Sequence, residues 1–199
     1  MCWKKWDINL IAASVLLSAL VTNVSAHDLS TQALVGRGGD FTLQSHDGPV
    51  SLQQFRGKIV LLFFGYTSCA DICPTTLAIL SNVLSKLGVQ ELDKIATLFV
   101  SLDPDRDTPE LLQKYTGYFH PNIIGITDRV EVLNQVTEDY GVVYERKEKA
   151  GSALGYVISH PFDILVVNQE GKLLESRIQP ATSSDDIHAY LKSLLGRSL

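Results

Sequence analysis

Two cysteines stand four residues apart in Gly65-Tyr66-Thr67-Ser68-Cys69-Ala70-Asp71-Ile72-Cys73-Pro74, directly after an apolar run, IVLLFF, at residues 59–64. Pro74 suits the first turn of a helix, because its missing N–H is one the turn leaves unpaired anyway. Thiols at such a place meet the partial positive charge and free N–H groups of the helix start, which favour the thiolate as nucleophile and as metal ligand. The spacing is CxxxC, one residue wider than the CxxC of dithiol redox motifs. A wider loop lets both sulfurs face one ion. Two thiolates prefer a soft ion, so copper(I) leads, whereas zinc in structural sites usually takes four ligands. A stabilising disulfide and a redox couple are the other uses of such a pair, and an inert buried thiol is the least expected.

A copper(I) site of this kind wants a third donor, and imidazole is the natural type. Of the five histidines, His46 lies beside Asp47-Gly48 in an expected hairpin turn, where exposure is the default. His120 precedes Pro121 at an expected helix end, where a cationic group is ordinary. His188 flanks the apolar stripe of the last helix, and His27 falls in a polar lead-in. His160 differs: it stands just before an apolar segment, residues 162–167, read as a central strand. If the chain folds as the element order below indicates, the loop entering that strand passes close to the cysteines. Two devices can bring His160 there: a cis bond before Pro161, which costs only about 0.5–1 kcal/mol over trans, or a swing of the loop at residues 147–155 as a unit.

The elements that must position these groups follow from the hydrophobic pattern. Apolar segments at 41–43 and 50–52 flank His46-Asp47-Gly48-Pro49 and indicate a hairpin. The continuous apolar runs at 59–64 and 95–102 suit strands buried on both faces. Leu77, Leu80, Leu84 and Leu87 recur at helical spacing. Thr108-Pro109 begins another helix with Thr108 as its cap. A short strand at 123–126 and a helix ending before Gly141 follow. Further extended segments are expected at 142–146 and 156–158, then strands at 162–167 and 172–178 around a turn at 168–171. Ser183 and Ser184 ahead of Asp185 and Asp186 cap a final helix. Alternating apolar strands and amphipathic helices define an α/β chain with a central mixed sheet covered on both faces. A cysteine pair at the carboxyl end of the first central strand, just ahead of a helix, is the thioredoxin-like arrangement.

Composition sets the outer bounds. Of 199 residues, 45% are hydrophobic and 20% charged, which excludes a disordered chain and a disulfide-stapled miniprotein. The net charge of −5 gives no basic patch for nucleic acid. Residues 1–26 read as a secretory signal: Lys4 and Lys5, an apolar stretch at 10–21, then Val24-Ser25-Ala26 as a cleavage site. An uncleaved anchor is the alternative. Cleavage removes Cys2 and leaves Cys69 and Cys73 as the thiols of a periplasmic or otherwise exported protein, where a close pair tends to oxidise to a disulfide. Residues 27–38 form the lead-in and 39–199 the domain. The Asp103-Pro-Asp-Arg-Asp-Thr-Pro run reads as a loop that holds the fold near the site rather than a second metal site: Asp107 or Thr108 caps a helix and Arg106 neutralises carboxylates.

With these residues in hand the chain resembles the Sco/SenC family of thioredoxin-like copper proteins. The matching stretches are Gly39-Asp-Phe-Thr-Leu, Phe55-Arg-Gly-Lys, Phe63-Phe-Gly-Tyr-Thr with CxxxCP, Ser101-Leu-Asp-Pro-Asp-Arg-Asp-Thr-Pro, and His160 with Gly171 eleven residues on; together they cover roughly residues 36–196. The resemblance implies Cys69, Cys73 and His160 as ligands for copper, chiefly copper(I). It also implies a metallochaperone that serves the copper A centre of cytochrome c oxidase, with thiol–disulfide activity toward that centre's cysteines. The implied partners are the copper A subunit, or another exported copper protein, and a copper donor chaperone, with this chain as a monomer. The alternative is a periplasmic oxidoreductase acting on partner disulfides or sensing redox state. A thiol peroxidase finds no support beyond the fold. Ala70, Ser159 and Pro161 depart from the family pattern, which usually has proline, aspartate and a small polar residue there. Asp71 is retained, to tune the thiolates or to face a partner.

Overall fold

A computed structural model describes residues 37–149, 151, 154–179 and 181–196. The signal segment, Cys2, His27 and most of the lead-in lie outside the described residues. In chain order the elements are β1 (Thr42–Ser45), β2 (Gly48–Ser51), a 3-10 turn (Leu52–Phe55), β3 (Ile59–Gly65), α1 (Ile72–Ser85), α2 (Val89–Leu92), β4 (Ile95–Ser101), α3 (Pro109–Phe119), β5 (Ile123–Ile126), α4 (Val130–Asp139), β6 (Glu145–Glu148), β7 (Tyr156–Ser159), β8 (Ile164–Val167), β9 (Leu173–Ile178) and α5 (Ser184–Leu195).

The central sheet has the order β5-β4-β3-β8-β9. β3 pairs parallel with β4 and antiparallel with β8, so it is the middle strand. All seven of its residues are buried, as both covered faces require. The side chains alternate between two cores. Leu62 and Phe64 join Leu98, Val100 and Tyr140 on one face, while Leu61 and Phe63 join Phe99, Leu77, Leu80, Leu112 and Leu191 on the other. The second face is the one that α1, α3 and α5 cover, and it holds Cys73. This is the thioredoxin-like fold expected, preceded by the β1–β2 hairpin. Both expected caps form: the side chains of Thr108 and Ser183 accept from the backbone N–H groups of Leu111 and Asp186.

Two boundaries differ where they bear on the site. The expected strand at 162–167 begins only at Ile164, which leaves Phe162 in the loop and 41% exposed. The expected loop at 147–155 is shorter, because Lys147 and Glu148 belong to β6, which pairs with β7 as a separate two-stranded sheet. β6 reads Glu-Arg-Lys-Glu, is wholly exposed and carries no apolar alternation, so its strand state comes from pairing rather than from its own pattern. Among the described residues no helix is long and apolar enough to cross a membrane.

Candidate metal centre

Cys69 lies in the loop leaving β3, with its backbone N–H bonded to the Tyr66 carbonyl at 3.3 Å. Cys73 is the second residue of α1 and fully buried. Its sulfur occupies space that Gly65 leaves open: a Cβ there would come within 2.9 Å of Cys73 Sγ and 2.8 Å of the Phe99 ring. Pro74 stands in the first turn, as its residue type requires. Both cysteines are free thiols.

Their electrostatics are opposed. A hydrogen bond from the Cys73 side chain holds the Cys69 thiol far below the ordinary range, with further help from the backbone N–H groups of Cys73 and Asp71. The same bond to Cys69, together with burial, drives the Cys73 thiol up. One negative charge is thus held on the more exposed sulfur at the helix start.

His160 is 94% buried and follows directly on β7. Its Nε2 lies 3.8 Å from Cys73 Sγ, and its Nδ1 lies 2.7 Å from the carbonyl oxygen of Pro161. A carbonyl only accepts, so Nδ1 carries a proton, and in the neutral ring the Nε2 lone pair faces the sulfur. The backbone of Pro161 therefore does what a carboxylate commonly does for a ligating histidine, namely fix the tautomer. This offsets the Ser159 departure. The Tyr66 and Phe162 rings meet the imidazole edge-on at 5.9 and 5.1 Å.

Of the two devices considered for placing His160, the cis bond before Pro161 is absent: every described peptide bond is trans. His160, at the end of β7, already faces Cys73 with a trans bond after it, so no sharp turn is needed. Asp71 is exposed and its side chain makes no capping bond; its part in the site comes through its backbone. Its carbonyl accepts from the Thr75 amide and hydroxyl at 3.2 and 2.9 Å. His46 is exposed and His120 accepts from the Asn122 amide at 3.1 Å, while His188 lies on α5.

The Asp103–Asp107 loop is built into the wall behind the thiols. Asp107 is fully buried and accepts from the Thr67 amide at 2.9 Å, from the Thr67 hydroxyl and from the Ser101 hydroxyl. The Ser101 hydroxyl in turn accepts from the Asp103 amide at 3.1 Å. Asp103 pairs with Arg106. Thr108 alone caps α3, and Asp107 instead ties down the residue two before Cys69. Among the described residues no three His, Cys, Asp or Glu side chains already close a complete metal cluster; the Cys73–His160 pair is set and Cys69 stands beside it. Sequence reasoning missed Ser101, Tyr66 and the Pro161 carbonyl, because their work is done by a hub hydroxyl, a ring edge and a backbone atom.

A dithiol at a helix start, faced by an imidazole with its lone pair turned inward, defines a thioredoxin-like protein equipped to hold a soft metal. The SCO1/SenC family pattern matches residues 30–196, so the chain belongs to that family. A SCO2-like protein of Rickettsia felis is 34% identical over 156 residues, 78% of this chain and 75% of its own. The solution structure of apo Sco1 from Thermus thermophilus is 36% identical, with a TM-score of 0.72 across 81% of this chain and 93% of that one. Bradyrhizobium japonicum ScoI, solved with copper bound, is 31% identical, with a TM-score of 0.72 across 79% and 99%.

Proposed function

We propose that this chain is an exported copper metallochaperone that takes copper(I) as cargo on Cys69, Cys73 and His160. Its recipient is the copper A centre of cytochrome c oxidase or another exported copper protein, and a donor chaperone loads it. The observation that carries the proposal is the presentation of His160, with Nδ1 committed to the Pro161 carbonyl and Nε2 left to face Cys73 Sγ at 3.8 Å. Thiolate and imidazole bound to one ion at about 2.3 and 2.0 Å, at a trigonal angle, stand about 3.7 Å apart. Two sulfurs and one imidazole form a soft set suited to copper(I), and a copper-bound relative supports the choice of metal. Cys69 completes the set when the ion arrives. The test is titration of reduced protein with copper(I) against a competing chelator, repeated with His160→Ala and with both cysteines changed to serine. One ion per chain, weakened by the first change and lost with the second, is expected. Stoichiometric tight binding that survives loss of both cysteines overturns it.

The opposed thiols favour a second activity beside the first. A half-buried low-pKa thiol next to a buried high-pKa partner is the arrangement of an attacking and a resolving cysteine. Cys69 thiolate attacks a partner disulfide and expels one partner thiolate; Cys73 then displaces the second, closing a Cys69–Cys73 disulfide with both partner sulfurs reduced. Oxidation also removes the sulfur donors, so the disulfide form releases copper. His160 is needed for copper and dispensable for this exchange, which makes His160→Ala the variant that separates the two activities.

A further inference from the structure

β7 and the residue that follows it meet the cysteine wall at three alternating positions, Tyr156, Ile158 and His160, all buried. His160 faces Cys73. The backbone of Ile158 hydrogen-bonds the Tyr66 hydroxyl, and the Tyr66 backbone N–H faces the Cys73 sulfur. At the far end the Tyr156 hydroxyl donates to Asp103 at 2.6 Å. The guanidinium carbons of Arg106 and Arg146 lie 3.8 and 3.5 Å from the Tyr156 ring centroid. At those heights two cations cannot share one face, so the ring is stacked between them. Arg106 also donates to the carbonyls of Leu154 and Tyr156 at 3.0 and 3.4 Å, and its Nη2 is buried where the Tyr66 and Tyr156 rings lie, with no hydrogen-bond partner among the described residues. Arg146 is held in turn by Asp105 and Glu148.

We propose that Tyr156 is a positioning residue of this site: stacked between Arg106 and Arg146 and anchored on Asp103, it registers β7 so that the Nε2 of His160 stands against Cys73 Sγ. Among the described residues the hairpin that carries His160 shares no strand pairing with the central sheet, so its placement rests on side-chain contacts and on the short link to β8. Tyr156 is the buried side chain of the hairpin that bonds the Asp103 loop, and that loop shares the Ser101 hydroxyl with Asp107 and hence with the cysteine loop. Burial and the neighbouring Asp103 carboxylate push the phenol up to about 12, which keeps its donating proton in place at neutral pH. A residue four positions before the imidazole thus fixes a ligand it does not touch, as partners outside a coordination shell commonly do.

The affinity readout rests on the copper proposal above; the imidazole readout does not. In metal-free reduced protein, long-range 1H–15N spectra of His160 should show one tautomer with the proton on Nδ1. Tyr156→Leu should convert it to a mixture while the fold, read by circular dichroism, is kept. The same variant should weaken copper(I) binding about 10- to 100-fold, and by less than about twofold in a His160→Ala background, since it acts through that ring. A wild-type His160 spectrum in Tyr156→Leu, or an equal loss of affinity with and without His160, overturns the proposal. Should Tyr156→Leu fail to fold, Tyr156→Phe carries the test: it keeps the stacked ring, loses the bond to Asp103, and should move both readouts the same way by a smaller amount, while unchanged readouts overturn it. A wild-type protein that takes no copper(I) but shows the tautomer change would overturn the metal proposal and leave the positioning role standing.

Discussion

The cysteines and the histidine reach the same point from opposite kinds of structure. Cys73 is set by the core: the middle strand of a five-stranded sheet ends at Gly65, and α1 packs Leu77, Leu80 and Leu84 behind it. His160 is set by a two-stranded hairpin whose outer strand is wholly exposed and whose hold on the wall is polar and aromatic. Apolar burial is stiff and insensitive to salt, whereas ion pairs and stacked cations are screened and more easily opened. The sulfur side is therefore the fixed half of the site, and the imidazole side the half that can be loosened without unfolding the protein. The metallochaperone proposed above, which would both hold and surrender an ion, gains from that division.

The largest effect that would sharpen the contrast concerns the thiols. An ordinary cysteine loses about a thousandfold in thiolate between pH 8 and pH 5, because the anion falls tenfold per unit below its pKa. Cys69 is held ionised by its bond from Cys73, so its alkylation by iodoacetamide should change little across that span. Cys73, buried and driven up, should remain unmodified in the folded protein. Mass mapping of the alkylated residue at each pH checks this, and a Cys69 rate that falls with pH like a free thiol would remove the asymmetry.

Next in size is Asp107→Ala. The change strips the partner from the Thr67 amide and hydroxyl and from the buried Ser101 hydroxyl, and groups left unpaired in the interior cost about 1–3 kcal/mol each. A loss of about 3 kcal/mol in urea unfolding is expected. Gly65→Ala should follow at about 2 kcal/mol, the ordinary cost of overpacking, because its Cβ would press on Cys73 Sγ and the Phe99 ring. That variant should also lower copper(I) affinity, since the relief available is movement of the sulfur. Wild-type stability in Gly65→Ala would mean that the wall behind the thiols is softer than its burial implies.

What the sequence revealed divides along the same line. The strands at 59–64 and 95–102 are long apolar runs and fixed the sheet's centre; with Pro74 they placed Cys73 at the start of α1 and Cys69 in the loop before it. The caps Thr108 and Ser183 were legible because capping is local chemistry. His160 was singled out by its place before a strand, but not the device that holds it. β6 has no apolar periodicity, so its pairing with β7 was hidden, and a cis Pro161 was considered for a turn that His160, facing Cys73 with a trans bond after it, does not need. Arg106 was read as neutralising a carboxylate, which it does, yet its stacking on Tyr156 joins residues 50 positions apart, and no local pattern encodes that. Core placement follows from periodicity; tertiary stacking of polar side chains does not.

The smallest effect tests whether the hairpin is held from inside or from outside. Arg146 stacks on the outer face of Tyr156, is about half exposed, and pairs with Asp105 at 3.0 Å and Glu148 at 3.2 Å, all open to water. Exposed pairs contribute little because water and salt screen them and long side chains lose freedom in making them. Arg106 and Asp103 hold the same ring from within, shielded by Tyr66 and the β7 backbone. Arg146→Ala should therefore leave the urea midpoint unchanged and lower copper(I) affinity by no more than about twofold, while amide exchange at residues 145–148 and 156–159 speeds up. Raising the salt concentration on wild-type protein should reproduce the faster exchange. An affinity loss from Arg146→Ala as large as that from Tyr156→Leu would reverse the assignment: the hairpin would hang on its solvent-side cation, and the imidazole half of the site would respond to ionic strength directly.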